Sequence, residues 1–224
     1  MNKIIEKIYH CRIFARIFHT AAFCLKQELR GCESVLDLGC GPSSPLQFSQ
    51  NIKHSVGVEA FQPYLEETKK RKIHTEYIEK RVEEVDFPQN CFDAVILLGV
   101  LEHLPEDTGY AMLKKAGKWA KKKVIVSTPN GFLPQEALDG NPFQRHLSGW
   151  SLETMEKLGF QCRGLSGWKW LRQEAPSDGK KGGLFSSIRV RPKSFWFVVA
   201  TLSQLVAHPF PKCAFEIFCV KKII

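Results

Sequence analysis

The stretch Val35-Leu36-Asp37-Leu38-Gly39-Cys40-Gly41-Pro42-Ser43-Ser44 constrains the fold more than any other part of the chain. Val35 to Leu38 reads as a short buried strand that runs into a glycine-rich turn. The spacing after it predicts a helix start, with Ser44 as N-cap, Pro45 at the first helical position and Gln47 closing a capping box. Strand, glycine turn and helix bring bare backbone up against a nucleotide-like ligand. A G-x-G alone serves any tight turn, so the next segment matters. Ser55-Val56-Gly57-Val58-Glu59 reads as a second apolar strand with an acid at its end. An acid about 20 residues past such a turn can accept both hydroxyls of a ribose. Together the two segments predict an adenosine site.

The chain beyond the turn alternates strands and helices. Pro63 to Lys72 reads as a helix, with Glu66 and Glu67 facing Lys70 and Arg71. Thr75 to Ile78 reads as a third strand. Phe92 to Leu98 is a continuous apolar run, the mark of a parallel strand buried on both faces. A helix over 105–121, a strand over 124–127, a helix over 151–158 and strands over 161–165 and 214–220 complete the series. This order predicts an α/β fold: a doubly wound, mostly parallel seven-stranded sheet, Rossmann-like, with helices on both faces. At 224 residues, 44% of them hydrophobic, the chain suits one domain with one sizeable core.

Two nucleotide readings compete at the turn. A dinucleotide fingerprint wants a third glycine where Ser44 stands, so that a helix N-terminus can approach a pyrophosphate. Asp37, inside the strand, also sits poorly beside a pyrophosphate and better suits a ligand that carries a positive charge. The run L-D-L-G-C-G (36–41) resembles the first motif of the class I S-adenosylmethionine-dependent methyltransferases. So do D-F-P-Q-N-C-F-D-A-V (86–95) and L-E-H-L (101–104), and the resemblance covers residues 34–160. It implies S-adenosylmethionine as cofactor and methyl transfer as the reaction. Under it, Gly39 and Gly41 pass beneath the cofactor, Asp37 anchors its amino-acid end through water or directly, and Glu59 holds the ribose. Leu98 offers backbone near the methionine part. The family often has an aspartate on the loop after the third strand, where this chain has Arg81. The adenine contacts are then expected from Val82 and Glu83. A non-catalytic cofactor-binding scaffold and a nicotinamide-dependent oxidoreductase stay as alternatives.

Methyl transfer needs few catalytic residues, because a sulfonium is already a good leaving group and the protein mainly positions the acceptor and excludes water. A base is needed only when the acceptor loses a proton. His103, beside Glu102, and His146 are the catalytic candidates; each could instead be a packed histidine. His146 lies in N-P-F-Q-R-H-L-S-G-W (141–150), which, with S-T-P-N-G-F (127–132) before it, resembles a group of bacterial class I methyltransferases. That likeness implies a reaction class without a named acceptor.

The net charge of +9 is unevenly spread: +4 over residues 1–30, −7 over 31–110, +4 over 111–160 and +8 over 161–224. Basic ends around an acidic cofactor half suggest an anionic partner. Ile4, Ile5, Ile8, Phe14, Ile17, Phe18, Ala22 and Leu25 recur at helical spacing and predict one or two basic amphipathic helices over residues 3–30, which can lie on a membrane surface or pack on their own domain. The family resemblance implies that residues 1–30 form a helical lid over the cofactor. Residues 168–211 read as an insertion before the last strand. It carries a polar, glycine-rich loop (177–183), a basic cluster (Arg189, Arg191, Lys193) and an apolar segment (195–206). That segment is too short to cross a bilayer and reads as a core helix or as an interfacial one. The expected acceptor is therefore a small or lipid-linked molecule. Nucleic acid is disfavoured, because the aromatics cluster instead of spacing along a basic groove. The eight scattered cysteines form no C-x-x-C pair and predict free thiols without metal. With no signal-peptide pattern or long apolar run, they point to a cytoplasmic protein, with peripheral contact at the inner membrane surface as the variant of that reading.

Overall fold

The computed structural model describes residues 11–138, 140–173 and 185–223. Ile4, Ile5 and Ile8 of the expected lid and the loop at 177–183 lie outside the described residues. In chain order the elements are α1 (Arg12–Ile17), α2 (Ala21–Glu28), β1 (Ser34–Leu38), β2 (His54–Glu59), α3 (Gln62–Arg71), β3 (Glu76–Glu79) and β4 (Phe92–Leu98). Then come α4 (Glu106–Trp119), β5 (Ala120–Pro129), α5 (Leu152–Lys157), β6 (Gln161–Trp168), α6 (Lys193–Ala207) and β7 (Ala214–Lys222). The seven strands lie in the order β3-β2-β1-β4-β5-β7-β6, with β7 antiparallel to both its neighbours. This is the doubly wound, mostly parallel sheet that the sequence predicts.

Period-two alternation sorts the central strands between two faces. Leu36, Leu38, Val95 and Leu97 join Met112, Trp119 and Met155 on one face, under α4 and α5. Val35, Ala94 and Ile96 join Leu25 and Leu29 of α2 on the other. Asp37 shares the parity of Val35, and that puts its carboxyl on the second face, away from the α4 layer. The chain winds in opposite directions from β1, to β2 on one side and β4 on the other. Parallel sheets leave a ligand crevice at such a switch point, beyond the carboxyl ends of the strands.

Several local expectations change. The glycine turn leads into one 3₁₀ turn, Pro45–Phe48, and no longer helix follows. Ser44 still caps it, accepting from the Leu46 amide at 3.2 Å, but Gln47 donates to the Ser44 carbonyl at 3.0 Å instead of closing a capping box. On α3 the ion pairs are Glu66 with Lys69 and Glu67 with Arg71. Free thiols are not universal: Cys162 and Cys219 stand in register across β6 and β7 and are joined as a disulfide. The cysteines therefore no longer argue for a reducing compartment. The N-terminal segment is not a lid in its described part. Cys24, Leu25 and Leu29 are buried against the sheet, because α2 supplies that face with its apolar cover.

The helix α6 departs from the reading of its apolar segment as a core helix. It docks on β6 through small and polar residues, Ala200, Ser203, Gln204 and Ala207, all buried. The Gln204 amide donates to the Gly164 carbonyl at 3.1 Å, and its oxygen accepts from the Gly167 amide at 2.7 Å. A Cβ on Gly164 would stand 2.0 Å from the Ala207 carbonyl oxygen. Close backbone approach thus sets this packing; Trp196, Phe197 and Val199 pack beside Leu171 and Ile188, while Phe195, Val198, Leu202, Leu205 and Val206 face outward. Gly164→Ala should destabilise the fold by about 1–3 kcal/mol through overpacking. That corresponds to a fall in Tm of roughly 2–4 °C per kcal/mol for a chain of this size. A thermal melt followed by circular dichroism checks this; an unchanged midpoint would mean that α6 sits farther from β6.

Candidate active site

A cavity of about 380 Å³ opens at the switch point. Gly39, Gly41 and Glu59 line it from the β1 and β2 ends, Val82 and Glu83 from the turn after β3, and Leu98 from the end of β4. Its other end is closed by His103 and Leu104 together with Asn141, Phe143 and Gln144. The volume falls within the usual range for a small-molecule site.

Glu59 organises the near end. Its Oε2 accepts from the Gly41 amide at 2.9 Å and its Oε1 from the Phe61 amide at 2.8 Å. One side chain at the end of β2 thus fixes the turn after β1. A carboxylate has about four acceptor sites, so one on each oxygen is left for ligand hydroxyls. Burial raises the Glu59 carboxyl above its ordinary pKa, and the amides of Phe61, Gly41 and Ala60 partly oppose the rise.

The two glycines differ in what they protect. Both have positive φ, +64° at Gly39 and +59° at Gly41. A Cβ on Gly39 would meet Val100 Cγ2 at 2.7 Å, whereas one on Gly41 would meet nothing within 4 Å. Gly39 therefore lines the cavity while making room for Val100 of the protein's own core. Gly41 faces open cavity.

Asp37 is 2% exposed and is not among the cavity's lining residues. Its Oδ2 accepts from Ser44 Oγ at 2.5 Å and stands 2.9 Å from His74 Nε2, also buried. It braces the glycine turn from beneath. Its carboxyl faces Ser44 and His74 and not the cavity, because the period-two pleat puts this side chain on the α2 face of the sheet. His74 was not legible as a partner, being 37 residues away with no motif around it.

Main-chain bonds bring the distant 141–150 segment to the far end. The Glu102 carbonyl accepts from the amides of Leu147 at 2.7 Å and Ser148 at 3.1 Å. Ser148 Oγ donates to the Leu101 carbonyl and accepts from Trp150 Nε1 at 2.9 Å. A Cβ on Gly149 would stand 2.4 Å from the Phe132 amide nitrogen, so only glycine lets the loop pass there. The S-G-W run is thus a seam between loops. It sets the histidines together, with the His103 and His146 rings 4.8 Å apart between centroids. His103 Nδ1 lies 3.1 Å from the Arg145 carbonyl and His146 Nδ1 lies 2.6 Å from the Leu133 carbonyl. Burial lowers both, His103 to about 4, so the His103 imidazole is neutral at physiological pH. A base works best with a pKa near the operating pH, so His103 is a weak proton acceptor.

Sequence reasoning missed Asn141. It is fully buried, its Oδ1 accepts from the Phe143 amide at 2.9 Å, and its Nδ2 has no partner among the described residues. An unsatisfied buried donor in a cavity wall calls for a ligand atom or water. The neighbouring proline in N-P-F was the only available signal. Arg81 pairs with Glu83 and stands over the Phe143 ring, 5.8 Å from its centroid, and so closes the cavity roof.

Because its carboxyl is raised, Glu59 takes up a proton at a higher pH than an exposed glutamate as the solution is acidified. Affinity for an adenosine-bearing ligand should therefore fall in a pH window that begins above the ordinary value of 4.5. Glu59→Gln should be weaker throughout and flat across that window. Calorimetric titration at a series of pH values checks both; an equally steep profile in the variant would assign the titration elsewhere.

Residues 35–123 match the model of a family described as a methyltransferase domain. No curated protein matches the sequence. Among solved structures, the chain is similar to an S-adenosylmethionine-dependent methyltransferase from Archaeoglobus fulgidus. They share 16% identity, over 95% of this chain and 99% of that one, with a TM-score of 0.53. It is similar also to the methyltransferase domain of bacterial CtHen1, at 19% identity over 93% and 100% of the two chains and a TM-score of 0.52. A third likeness is to the YcgJ protein of Bacillus subtilis, at 13% identity over 89% and 97% and a TM-score of 0.50. Strand order, turn and matched segment agree: residues 35–123 match a methyltransferase domain, and the chain has the fold of the class I S-adenosylmethionine-dependent methyltransferases.

Proposed function

We propose that the chain transfers a methyl group from S-adenosylmethionine to a small-molecule acceptor seated between His103, Asn141 and Phe143. The observation that carries this is the Glu59 bridge, which holds Gly41 open to the cavity while leaving acceptor sites for ribose hydroxyls. The residues present fit the cofactor. Gly39 and Gly41 shape the turn, Glu59 takes the ribose, Val82 and Glu83 border the adenine, and Leu98 borders the methionine part. Asp37 acts through Ser44 and the turn. When bound, the cofactor supplies an electrophilic methyl on a positively charged sulfur. The chain's own part is to hold the acceptor in line and to exclude water.

Calorimetry with S-adenosylmethionine and with NAD tests the reading. The first should bind with one equivalent and the second should not bind. Gly41→Ala places a methyl in the cavity at a positive φ and should weaken S-adenosylmethionine by tenfold or more. Glu59→Ala removes a charged acceptor worth roughly 1.5–3 kcal/mol, again on the order of tenfold or more. Tight NAD binding without S-adenosylmethionine binding would overturn the proposal.

A lipid-linked acceptor at a membrane surface is the second reading, favoured by the outward face of α6. Phe195, Val198, Leu202, Leu205 and Val206 are each about half exposed and recur at helical spacing. Arg189, Arg191 and Lys193 stand at its start in sequence. An apolar stripe beside basic residues suits an anionic bilayer surface. No helix among the described residues is long and apolar enough to cross a membrane. None of residues 189–206 lines the cavity, so under this reading the face serves as a docking surface apart from it. The protein should pellet with acidic vesicles at low salt. Added salt, or Arg189, Arg191 and Lys193 changed together to glutamine, should reduce that binding while cofactor affinity stays constant. Absence of vesicle binding at low salt would remove this reading.

A further inference from the structure

We infer that Glu102, His103 and His146 form a binding site for one divalent transition-metal cation at the far end of the cavity. The cation site stands on its own geometry; only the assignment of its open positions to a methyl acceptor rests on the proposed function. One ligand atom from each residue lies within 4.8 Å of the others. Three atoms so placed share a point no more than about 2.8 Å from each, and inward shifts of about 0.7 Å reach the 2.0–2.1 Å of a metal–imidazole bond.

The tautomers are already set for coordination. A backbone carbonyl can only accept, so Nδ1 of His103 donates to Arg145 and Nδ1 of His146 donates to Leu133. Each Nε2 then carries the lone pair, the arrangement in which a carbonyl orients a metal-ligating imidazole. His146 and Glu102 are 7% and 5% exposed, so water competes little for the ligand atoms. The two ligand-bearing segments are bolted together by the Leu147 and Ser148 amides on the Glu102 carbonyl, and this preorganises the set. Two imidazoles and one carboxylate select zinc, iron, cobalt or manganese over magnesium and calcium, and leave coordination positions open. Of the three residues His103 lines the cavity, so an acceptor held there would reach an open position from its side. The acceptor that fits such a cation binds it through oxygen, as a hydroxyl or phenol would.

The test uses the full chain after dialysis against a chelator. Zinc is titrated by calorimetry and cobalt by its visible absorption. The wild type should take one equivalent of each. His146→Asn keeps a donor toward Leu133 and removes only the coordinating nitrogen. It should weaken both metals by tenfold or more, with the cobalt spectrum altered, and His103→Asn should do the same. Affinity for S-adenosylmethionine in His146→Asn should stay within about twofold of wild type. If a histidine variant does not fold by circular dichroism, Glu102→Gln gives the same readout. No stoichiometric metal in the wild type overturns the inference. So does metal that binds the variants as tightly as wild type, since that would place it at thiols or elsewhere. Metal bound without S-adenosylmethionine would keep the site and overturn the proposed function instead.

Discussion

The bidentate hold of Glu59 on the amides of Gly41 and Phe61 is the interaction on which the site depends. β1 and β2 run parallel in register, so their carboxyl ends deliver two loops to the same edge. Two loops with free amides would be mobile and solvated; one buried carboxylate ties them. The cost is a raised carboxyl pKa through desolvation, only partly offset by the amides. The same group that would meet the ribose therefore also builds the wall of its own pocket, and its loss would act on both. Beneath the turn, Asp37, Ser44 and His74 form a second tie, of which only Ser44 lines the cavity.

The far end obeys the same logic with main chain in place of side chain. The Glu102 carbonyl receives two amides of a loop more than 40 residues away, and Ser148 and Trp150 lock that loop against the 101–104 turn. Trp150 fills the space that Gly109 leaves on α4, where a Cβ would stand 2.3 Å from the indole. The cavity is thus rigid at both ends by hydrogen bonds made inside the protein. The proposed methyl transfer needs such a frame more than it needs a strong acid or base, since alignment and exclusion of water do most of the catalytic work.

Much of this was legible because it is local. The strand–glycine–strand–acid pattern over 35–59 is written in adjacent residues, and alternating apolar runs gave the order of strands and helices. What escaped is non-local or depends on which way a side chain turns. Asp37 looked like a ligand contact until the pleat turned it inward. Gly39 and Gly41 looked equivalent until Val100 filled the space above one of them. The N-terminal amphipathic pattern could not say which surface it would cover, and α2 covers the sheet. In α6 the apolar residues suggested a core, yet the close approach of Gly164 and Gly167 to the helix backbone favours its small face, leaving Phe195, Val198, Leu202, Leu205 and Val206 outside. The partners of His103 and His146 are carbonyls from remote loops, invisible to any spacing rule.

The measurement that bears most directly on the central claim is a crystal structure of the chain with S-adenosylhomocysteine. The account predicts the ribose hydroxyls within hydrogen-bond distance of Glu59, both amide bonds to that carboxylate retained, and the ligand passing over Gly41 with no contact to Asp37. A ligand bound at this cavity with its ribose away from Glu59, or bound at another cleft altogether, would contradict it.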